Sequence, residues 1–535
     1  MDEHEAASSS VPSARRQQRS AHPFGEAGRR GHNNSSIERL PSNPPLARRR
    51  RRAALALSVS LGAALAIALA LVLTRHSTRI PPPLTVPAAI AVPDPLTFDR
   101  DRALAYEQAA AFGLSHALFA KSPGGVLATA KRTAVYRPLV EHAVSGTGID
   151  ANLVEAIIFL ESAGRPDVIA GDDPANAAGL TQILAGTATD FLGMPVDLHA
   201  SRTLTREIDR SRQRGNAQAV ARLEARRRAV DARFDPAQAI AGTVRYLTTA
   251  LKQFGREDLA VVSYHMGIGN LEGVLRSYAG EPSRSIADVV REHDLSYARI
   301  YFDSSPASHR DAWERLASFG DDSQTYYWRV LAARDIMRLY RQNPLRLARL
   351  ATLHGHGPSA ELVLQPTSTA HHFATPAELE AGFKSGILRA LPNDPQLLHY
   401  RVDPRLRQLV SGLGADPTAY RTLRPRALRL LGYLAQEVYK LSKESRPLTV
   451  TRAAYDEASG ATLTPSDVEP RGGQSSVHAT GFAFDVRRRY GSGAQAESFQ
   501  WTLERLEALG LIAWTRGKSV IHIVVSPQAD ARPVR

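Results

Sequence analysis

The chain has 535 residues, which leaves room for two or three domains, and 43% of them are hydrophobic, which is enough for real cores. It contains no cysteine, which excludes disulfides and thiol chemistry. The formal net charge of +14 suits an anionic polymer as partner. Nucleic acid is not expected, because the basic residues are not interleaved with aromatic ones as in a recognisable binding module.

The N-terminal segments predict a membrane-anchored protein. Residues 1–52 are rich in Ser, Arg, Pro, Gly and Asn without periodicity, and predict a disordered basic cytoplasmic tail. Residues 53–73 are an uncharged apolar run, long enough for a helix across a bilayer core of about 30 Å. The Arg run at 48–52 predicts that the N-terminus stays inside, and the Pro-rich residues 74–102 predict a tether. We expect a single-pass protein of the cytoplasmic (inner) membrane with its bulk in the periplasm; a cleaved signal peptide is the alternative.

The next predicted element is a helix that ends in an acidic residue. Asp150 can cap its start, and apolar residues recur at helical spacing over 153–160. Glu161 then lies on or beside the apolar stripe, just before Gly164 ends the helix. A carboxylate on an apolar face loses hydration, which raises its pKa towards the range that a general acid needs near neutrality. A solvated or salt-bridged Glu at the helix rim is the alternative.

Further short segments follow this helix in a fixed order. They are AGLTQI at 178–183, DP and YL at 235–236 and 246–247, SYHMGIGN at 263–270, and QTY with a later Val at 324–330. Together with Glu161 and Ser162 they resemble the soluble lytic transglycosylase family, which has a lysozyme-like fold. The resemblance covers about residues 130–340. Two residues depart from the family's pattern: Thr181 stands where Met is usual, and His265 where Asn is usual.

This resemblance implies a reaction on the glycan strand of peptidoglycan that needs one carboxyl and no cofactor. Glu161 would be the catalytic acid, and the product would carry a 1,6-anhydro ring. The implied substrate-binding and supporting residues are Ser162, Gln182, Tyr264 and Tyr326. A goose-type lysozyme that shares Glu161 and a wall-binding scaffold without turnover are the alternatives.

Two other stretches carry no chemistry in this interpretation. Residues 206–233 are charged nearly throughout and predict a solvated helical excursion. Residues 341–400 are a connecting region without an assigned role. Its histidine pairs, at 354 and 356 and at 371–372, are interpreted as solvated rather than as metal ligands.

Near the C-terminus, two β-type segments carry His478, Asp485 and His522. Two imidazoles and a carboxylate on neighbouring strands can supply three ligands to Zn²⁺ and leave a fourth position open. Ordinary core residues of a sheet are the alternative. The segment S-x-H-x-x-G-x-A-x-D at 476–485 and the strand at 448–452 resemble the D-alanyl-D-alanine carboxypeptidase family of zinc peptidases, which shares a fold with the hedgehog signalling domain.

This second resemblance covers about residues 400–527. It implies Zn²⁺ as cofactor, His478, Asp485 and His522 as its ligands, and Arg452 facing the substrate, a stem peptide. The family usually has a Glu three residues before the last His as general base, whereas this chain has Ser519 there. Either another acid, such as Glu497 or Glu504, reaches the site, or the domain binds stem peptides without cutting them.

The expected fold class is therefore multidomain. It combines a single N-terminal transmembrane helix, a mainly α lysozyme-like domain at 103–340, the connecting region at 341–400, and an α+β zinc-peptidase-like domain at 401–535 with a small antiparallel sheet. Both resemblances point to peptidoglycan, through its glycan strands and its stem peptides. The predicted protein is a membrane-anchored lytic transglycosylase, a lyase, with a C-terminal domain that cuts or binds stem peptides; no protein partner is indicated.

Overall fold

The computed structural model describes residues 94–355, 360–366, 370–463 and 476–529. The first of these ranges is mainly helical. Its α-helices are α1 Ala103–Gly113, α2 His116–Lys121, α3 Val126–Ala134, α4 Arg137–Val144, α5 Ala151–Ser162, α6 Leu198–Gln213, α7 Ala217–Val230, α8 Pro236–Phe254, α9 Glu257–Met266, α10 Ile268–Ala279, α11 Ile286–Glu292, α12 Tyr297–Asp303, α13 Arg310–Ser318, α14 Tyr326–Gln342 and α15 Pro344–Gly355.

Helix α5 is the central element of the helical part. It begins as the sequence predicts, because the Asp150 side chain accepts a hydrogen bond from the Asn152 N–H. It ends one residue earlier than the glycine, since Ala163 already adopts the left-handed conformation with φ 55°. Most side chains of α5 are buried, and α14 packs along its length. This packing brings the start of α14 to the end of α5.

The charged excursion folds into the antiparallel helices α6 and α7. They pack against each other through a small separate apolar cluster of Leu204, Ile208 and Leu223. Their remaining side chains are mostly exposed. The predicted solvated excursion therefore describes the two helices but not their C-terminal end, where Arg227, Asp231 and Arg233 are buried.

The C-terminal part carries all the strands of the described residues. Its elements are α16 Glu361–Leu364, α17 Pro376–Lys384, β1 Arg389–Ala390, α18 Pro395–Leu398, β2 Tyr400–Val402, α19 Arg405–Leu409, β3 Thr422–Leu423, α20 Pro425–Ser442, β4 Leu448–Arg452, α21 Glu457–Leu463, β5 Ala483–Arg487, α22 Gly493–Ala508, β6 Ile512–Arg516 and β7 Val520–Val525. The main sheet has the order β2-β4-β5-β7-β6, and β1 pairs with β3 separately. Helices α20 and α22 pack against each other, and both contact this sheet.

The register of the main sheet aligns three of the predicted site residues. In the antiparallel pair β5–β7, Asp485 lies directly opposite His522. In the pair β4–β5, Arg452 lies opposite Asp485, after an irregularity at Val450. Directly opposed residues of an antiparallel pair have neighbouring side chains. The sheet therefore gathers Arg452, Asp485 and His522 on adjacent strands.

The helical part and the sheet are packed onto each other. The Trp501 indole N–H of α22 donates to the Ser304 carbonyl oxygen at 2.8 Å, and Arg505 Nε donates to the Tyr301 carbonyl oxygen at 2.9 Å. At Gly113 a Cβ would lie 2.4 Å from the Ala508 carbonyl oxygen, so only glycine allows this close approach. One hydrophobic cluster extends through both parts, and all described residues belong to one compact unit, residues 79–535.

The expected fold class and membrane location are corrected by the structure. No helix of the described residues is long and apolar enough to cross a membrane. The longest, α8 and α20, are amphipathic, with one face in the core and charged residues on the other. Residues 53–73, to which we assigned the transmembrane helix, lie outside the described residues, as do residues 1–52 and 74–93. The main sheet is also mixed rather than antiparallel, because β2 runs parallel to β4.

Candidate functional site

Glu161 lies at the end of α5, where the first residue of α14 reaches its carboxyl group. Tyr326 Oη donates a hydrogen bond of 2.7 Å to Glu161 Oε1. Burial raises the pKa of the Glu161 carboxyl from 4.5 to about 7, although this hydrogen bond and the positive charge of Arg329 act in the opposite direction. A carboxyl group that titrates near neutrality can both donate and accept a proton, as acid–base catalysis requires.

Tyr264 and Tyr326 both lie near Glu161. Tyr264 Oη donates to the Thr181 carbonyl oxygen at 2.8 Å and is 3.1 Å from Thr243 Oγ1. Burial and the negative charge of Glu161 raise the pKa of both phenols, so both remain protonated donors. Thr181 itself is buried, and its backbone rather than its side chain holds Tyr264. Thr181 in place of the family's usual Met is therefore compatible with the hydrogen bond from Tyr264.

Gln182 belongs to a tight turn beside the end of α5. Its backbone has a φ of 52°, and its Nε2 donates to the carbonyl oxygens of Val168 and Gly179 at 3.0 and 2.9 Å. Gly179 has a φ of 81°, and a Cβ there would lie 1.8 Å from the Arg233 carbonyl oxygen. The Gln182 side-chain amide nitrogen is thus used to close the turn.

A buried ion pair anchors this turn to the charged excursion. Arg233 is fully buried and bonds to both carboxylate oxygens of Asp231, at 3.0 and 2.7 Å. Its remaining donors reach the carbonyl oxygens of Pro174, Asn176 and Ile183, at 2.6, 3.0 and 3.1 Å. A bidentate guanidinium with every donor bonded is an effective brace for irregular backbone. The sequence analysis missed this role, because Arg233 looked like one more charge of the excursion.

The remaining residues near Glu161 have other partners. Ser162 Oγ donates to the Ile158 carbonyl oxygen of its own helix at 3.3 Å, and Ser162 is buried. The ring of His265 stacks on Tyr326 with centroids 4.9 Å apart, and its Nδ1 lies 3.0 Å from Ser323 Oγ. Partial burial lowers the pKa of His265. His265 therefore contacts Tyr326, the phenol that donates to Glu161.

The second group of candidate residues is the cluster of His478, Asp485 and His522. One possible ligand atom from each lies within 4.8 Å of the others, and all three residues are buried. His478 Nε2 and His522 Nδ1 lie 3.2 and 2.7 Å from the same oxygen, Asp485 Oδ1. Burial alone would raise the pKa of Asp485, but the two imidazoles outweigh it and hold this pKa well below its usual range. Two nitrogens converging on an anionic oxygen form a donor set that Zn²⁺ prefers.

Elements around the cluster fix its side chains. His478 lies in a short 3₁₀ turn, Val477–Thr480, just before β5, rather than on a strand as the sequence predicted, and the Tyr455 ring stacks on it at 4.7 Å. Arg452 Nη1 lies 3.4 Å from Asp485 Oδ2, and Arg452 Nε donates to the Leu463 carbonyl oxygen. Arg452 thus lies at the edge of the cluster, with 19% of its side chain exposed.

Glu497 and Glu504, the acids considered in place of the general base that Ser519 replaces, have other contacts. Ser519 lies in the exposed turn between β6 and β7. Glu497 pairs with Arg310 at 3.3 Å, and Glu504 accepts a hydrogen bond of 2.7 Å from Gln500. The acid found beside the cluster is a different one, Glu361, whose Oε1 lies 3.8 Å from His522 Nε2. No sequence signal pointed to it, because it is an isolated Glu in the connecting region.

Two histidines of the connecting region, His354 and His372, differ from the expectation, whereas His371 is exposed as expected. His354 is buried rather than solvated: its ring stacks on Phe119 at 4.1 Å, and its Nδ1 lies 3.0 Å from His116 Nδ1. Burial lowers the pKa of His354 to about 3. His372 lies 3.3 Å from a carboxylate oxygen of Glu457. His356 lies outside the described residues.

Comparison with known proteins supports the helical part of this interpretation. A family model described as the transglycosylase SLT domain matches residues 214–286. These residues include α8, α9 and α10 with Tyr264, whereas Glu161 and the whole C-terminal part lie outside them. No curated protein matches the chain. The chain thus carries, over residues 214–286, the signature of a transglycosylase SLT domain, which supports lyase activity on peptidoglycan at the level of the family.

Proposed function

We propose that this protein is a peptidoglycan lytic transglycosylase with Glu161 as its catalytic acid and base. The observation that carries the proposal is the Glu161 carboxyl group, whose pKa is raised by burial to about 7, in contact with Tyr326. The SLT match over residues 214–286 supports the same reaction class. Action on peptidoglycan implies that the protein works outside the cytoplasm.

The proposed reaction uses one carboxyl group twice. Protonated Glu161 donates its proton to the oxygen between N-acetylmuramic acid and N-acetylglucosamine, and the bond from C1 to that oxygen breaks. The C6 hydroxyl of the muramic residue then bonds to C1, and its proton passes to the Glu161 carboxylate. The products are a 1,6-anhydro-muramic end and a free N-acetylglucosamine end, and no water is consumed.

The surroundings of Glu161 favour this one-carboxyl reaction over hydrolysis with a second carboxylate. Among the described residues, the groups that perturb Glu161 are the Tyr326 hydroxyl and the Arg329 guanidinium, and no carboxylate is among them. Asp173, an acid of the loop that follows α5 along the chain, forms a bidentate pair with Arg202 at 2.8 and 3.0 Å. Retaining and inverting glycosidases generally need two carboxyl groups that flank the bond. The goose-lysozyme alternative is thus less well supported.

For the C-terminal part we propose a Zn²⁺ site that binds stem peptides without cutting them. His478, Asp485 and His522 would hold the ion, and their buried, converging donor atoms fit it. When bound, Zn²⁺ would act as a Lewis acid on a peptide carbonyl or carboxylate. Arg452 would pair with an acidic group of the peptide. Binding is preferred to cleavage because Ser519 is exposed, and Glu497 and Glu504 have contacts elsewhere.

The decisive experiment is mass spectrometry of the products that the purified full chain releases from sacculi. Muropeptides lighter by one water than hydrolysis products would establish the transglycosylase. We expect Glu161→Gln to lower their release by about 10²- to 10⁴-fold, the usual contribution of a general acid or base. Glu141→Gln, at an exposed residue paired with Arg137, is the matched control. Hydrated reducing ends, or undiminished release by Glu161→Gln, would refute the assignment; shortened stem peptides would show that the C-terminal part cuts.

A further inference from the structure

Glu361 begins α16, a single helical turn in the connecting region, and its carboxyl group lies beside the predicted metal ligands. Its Oε1 is 3.8 Å from His522 Nε2 and accepts a hydrogen bond of 2.9 Å from Thr515 Oγ1. Only 4% of Glu361 is exposed. Burial of a carboxylate is costly unless nearby donors compensate, and the Thr515 hydroxyl is one such donor.

The two imidazoles of the cluster use opposite ring nitrogens. His478 turns Nε2 towards Asp485 and donates from Nδ1 to the Ala453 carbonyl oxygen at 2.8 Å. Because a carbonyl oxygen only accepts, the proton of His478 is on Nδ1, and Nε2 is left as a possible ligand atom. His522 is reversed, since its Nδ1 lies 2.7 Å from Asp485 and its Nε2 faces Glu361.

We infer that Glu361 is the positioning residue of His522, and that it accepts the Nε2–H of this ring so that Nδ1 is available to a divalent metal ion. The inference rests on the metal site proposed above. A carboxylate behind a ligating histidine fixes the tautomer and the orientation of the ring and makes the ligand nitrogen more basic. The 3.8 Å separation is longer than a hydrogen bond, so the inference requires the two side chains to approach each other when the metal binds.

The turn that carries Glu361 is anchored to the strands of the site. Leu362 packs in one apolar cluster with Val477, Ala483 and Val524, which flank the three candidate ligands along the chain. Gln365 Nε2 donates to the Val525 carbonyl oxygen at 3.0 Å, at the end of β7. Glu361, Leu362 and Gln365 are therefore held against the strands that carry the candidate ligands.

The position of Glu361 also differs from the one that a general base of the metal site would need. His522 Nδ1 faces Asp485, whereas Glu361 faces the opposite nitrogen of the same ring. The carboxylate is thus on the far side of His522 from the convergence point of the ligand atoms. It acts through His522, which is consistent with a C-terminal part that binds rather than cuts.

The test is the Zn²⁺ affinity of the full chain, measured by competition with a chelating dye. Loss of the carboxylate in Glu361→Ala should weaken Zn²⁺ binding by about 10- to 100-fold, the usual effect of removing such a partner. Glu361→Gln should lose less, because its amide oxygen still accepts a hydrogen bond. Val363→Ala, which truncates a buried side chain of the same turn, should bind as the wild type does. The visible spectrum of the Co²⁺-loaded protein should change in Glu361→Ala and stay unchanged in Val363→Ala.

The outcomes separate this inference from the proposed metal site. If the wild type binds Zn²⁺ and Glu361→Ala binds it equally well, or if Val363→Ala loses as much affinity, Glu361 is not the positioning residue and the metal site stands. If the wild type binds no Zn²⁺, the metal site and the inference fail together.

Discussion

Replacement of Glu161 by Gln removes an ionisable group from a place that disfavours its charged form. We therefore expect Glu161→Gln to be more stable than the wild type, but only at pH values at which the wild-type carboxyl group is ionised. Gln has nearly the same shape, and its amide can still bond to Tyr326. The increase in stability thus reports the electrostatic environment of Glu161 rather than a change in packing.

The size of the effect follows from the pKa of Glu161, which burial raises from 4.5 to about 7. At about 1.4 kcal/mol for each pKa unit, the penalty for ionised Glu161 in the folded state approaches about 3 kcal/mol. Below pH 4.5 the carboxyl group is protonated in both the folded and the unfolded state, and there is no penalty. The penalty grows as the pH rises from 4.5 to 7 and is constant above that.

Urea unfolding of wild type and variant at pH 4, 6 and 8 measures this difference. The free energy of unfolding of Glu161→Gln should equal that of the wild type at pH 4 and exceed it by up to about 3 kcal/mol at pH 8. Ser162→Ala, at a buried neighbour without an ionisable group, is the control and should differ from the wild type equally at all three pH values. A stability difference for Glu161→Gln that is the same at pH 4 and pH 8 would refute the reasoning.

Two further predictions concern the Glu161 contact with Tyr326 and the turn that contains Gly179 and Gln182. Tyr326→Phe removes a donor that stabilises the Glu161 carboxylate, so the pKa should rise and the alkaline limb of the pH–rate profile should move up by about one pH unit; a limb that stays or moves down would contradict this. Gly179→Ala adds strain at a φ of 81° and a clash with the Arg233 carbonyl oxygen, so urea unfolding should show a loss of about 3 kcal/mol or more. Gly215→Ala, at a φ of 68° with open space around it, is the control and should lose only about 1–2 kcal/mol.

The packing of the helical part against the sheet affects how the two candidate sites can work. Trp501 and Arg505 of α22 bond to the backbone of residues 304 and 301, and Gly113 touches the end of α22. Both sites therefore belong to one compact unit. If the proposed functions hold, glycan strand and stem peptide are bound on the same unit rather than on two independently tethered domains.

Local patterns along the chain were sufficient to predict several features of both sites. The cap at Asp150 and the apolar spacing after it predicted α5 with Glu161 at its end, and the raised pKa follows from that apolar surrounding. The β-type segments around Asp485 and His522 predicted adjacent strands, and the register places the two residues opposite each other. These features depend on residues close in sequence or on the alternation of a strand.

The prediction of a membrane-spanning helix is contradicted, because no helix of the described residues is long and apolar enough to cross a membrane. It rested on residues 53–73, which lie outside the described residues, and no helix of the described part supports it. The antiparallel sheet was wrong at one edge, because the short strand β2 gave no signal of its direction. A strand of three residues, Tyr400–Val402, is too short for its pattern to indicate which neighbour it joins.

By itself, the sequence determined the helix that carries Glu161, the segments that resemble a transglycosylase, and the residue types of the candidate metal site. Only the tertiary structure decided which distant residues complete each site. Arg233 braces the turn of Gln182, and Glu361 lies behind His522, although neither belongs to a motif. The physical reason is that a buried charge is tolerated only where partners from other parts of the chain surround it. Those partners are brought together by packing, which no spacing along the chain encodes.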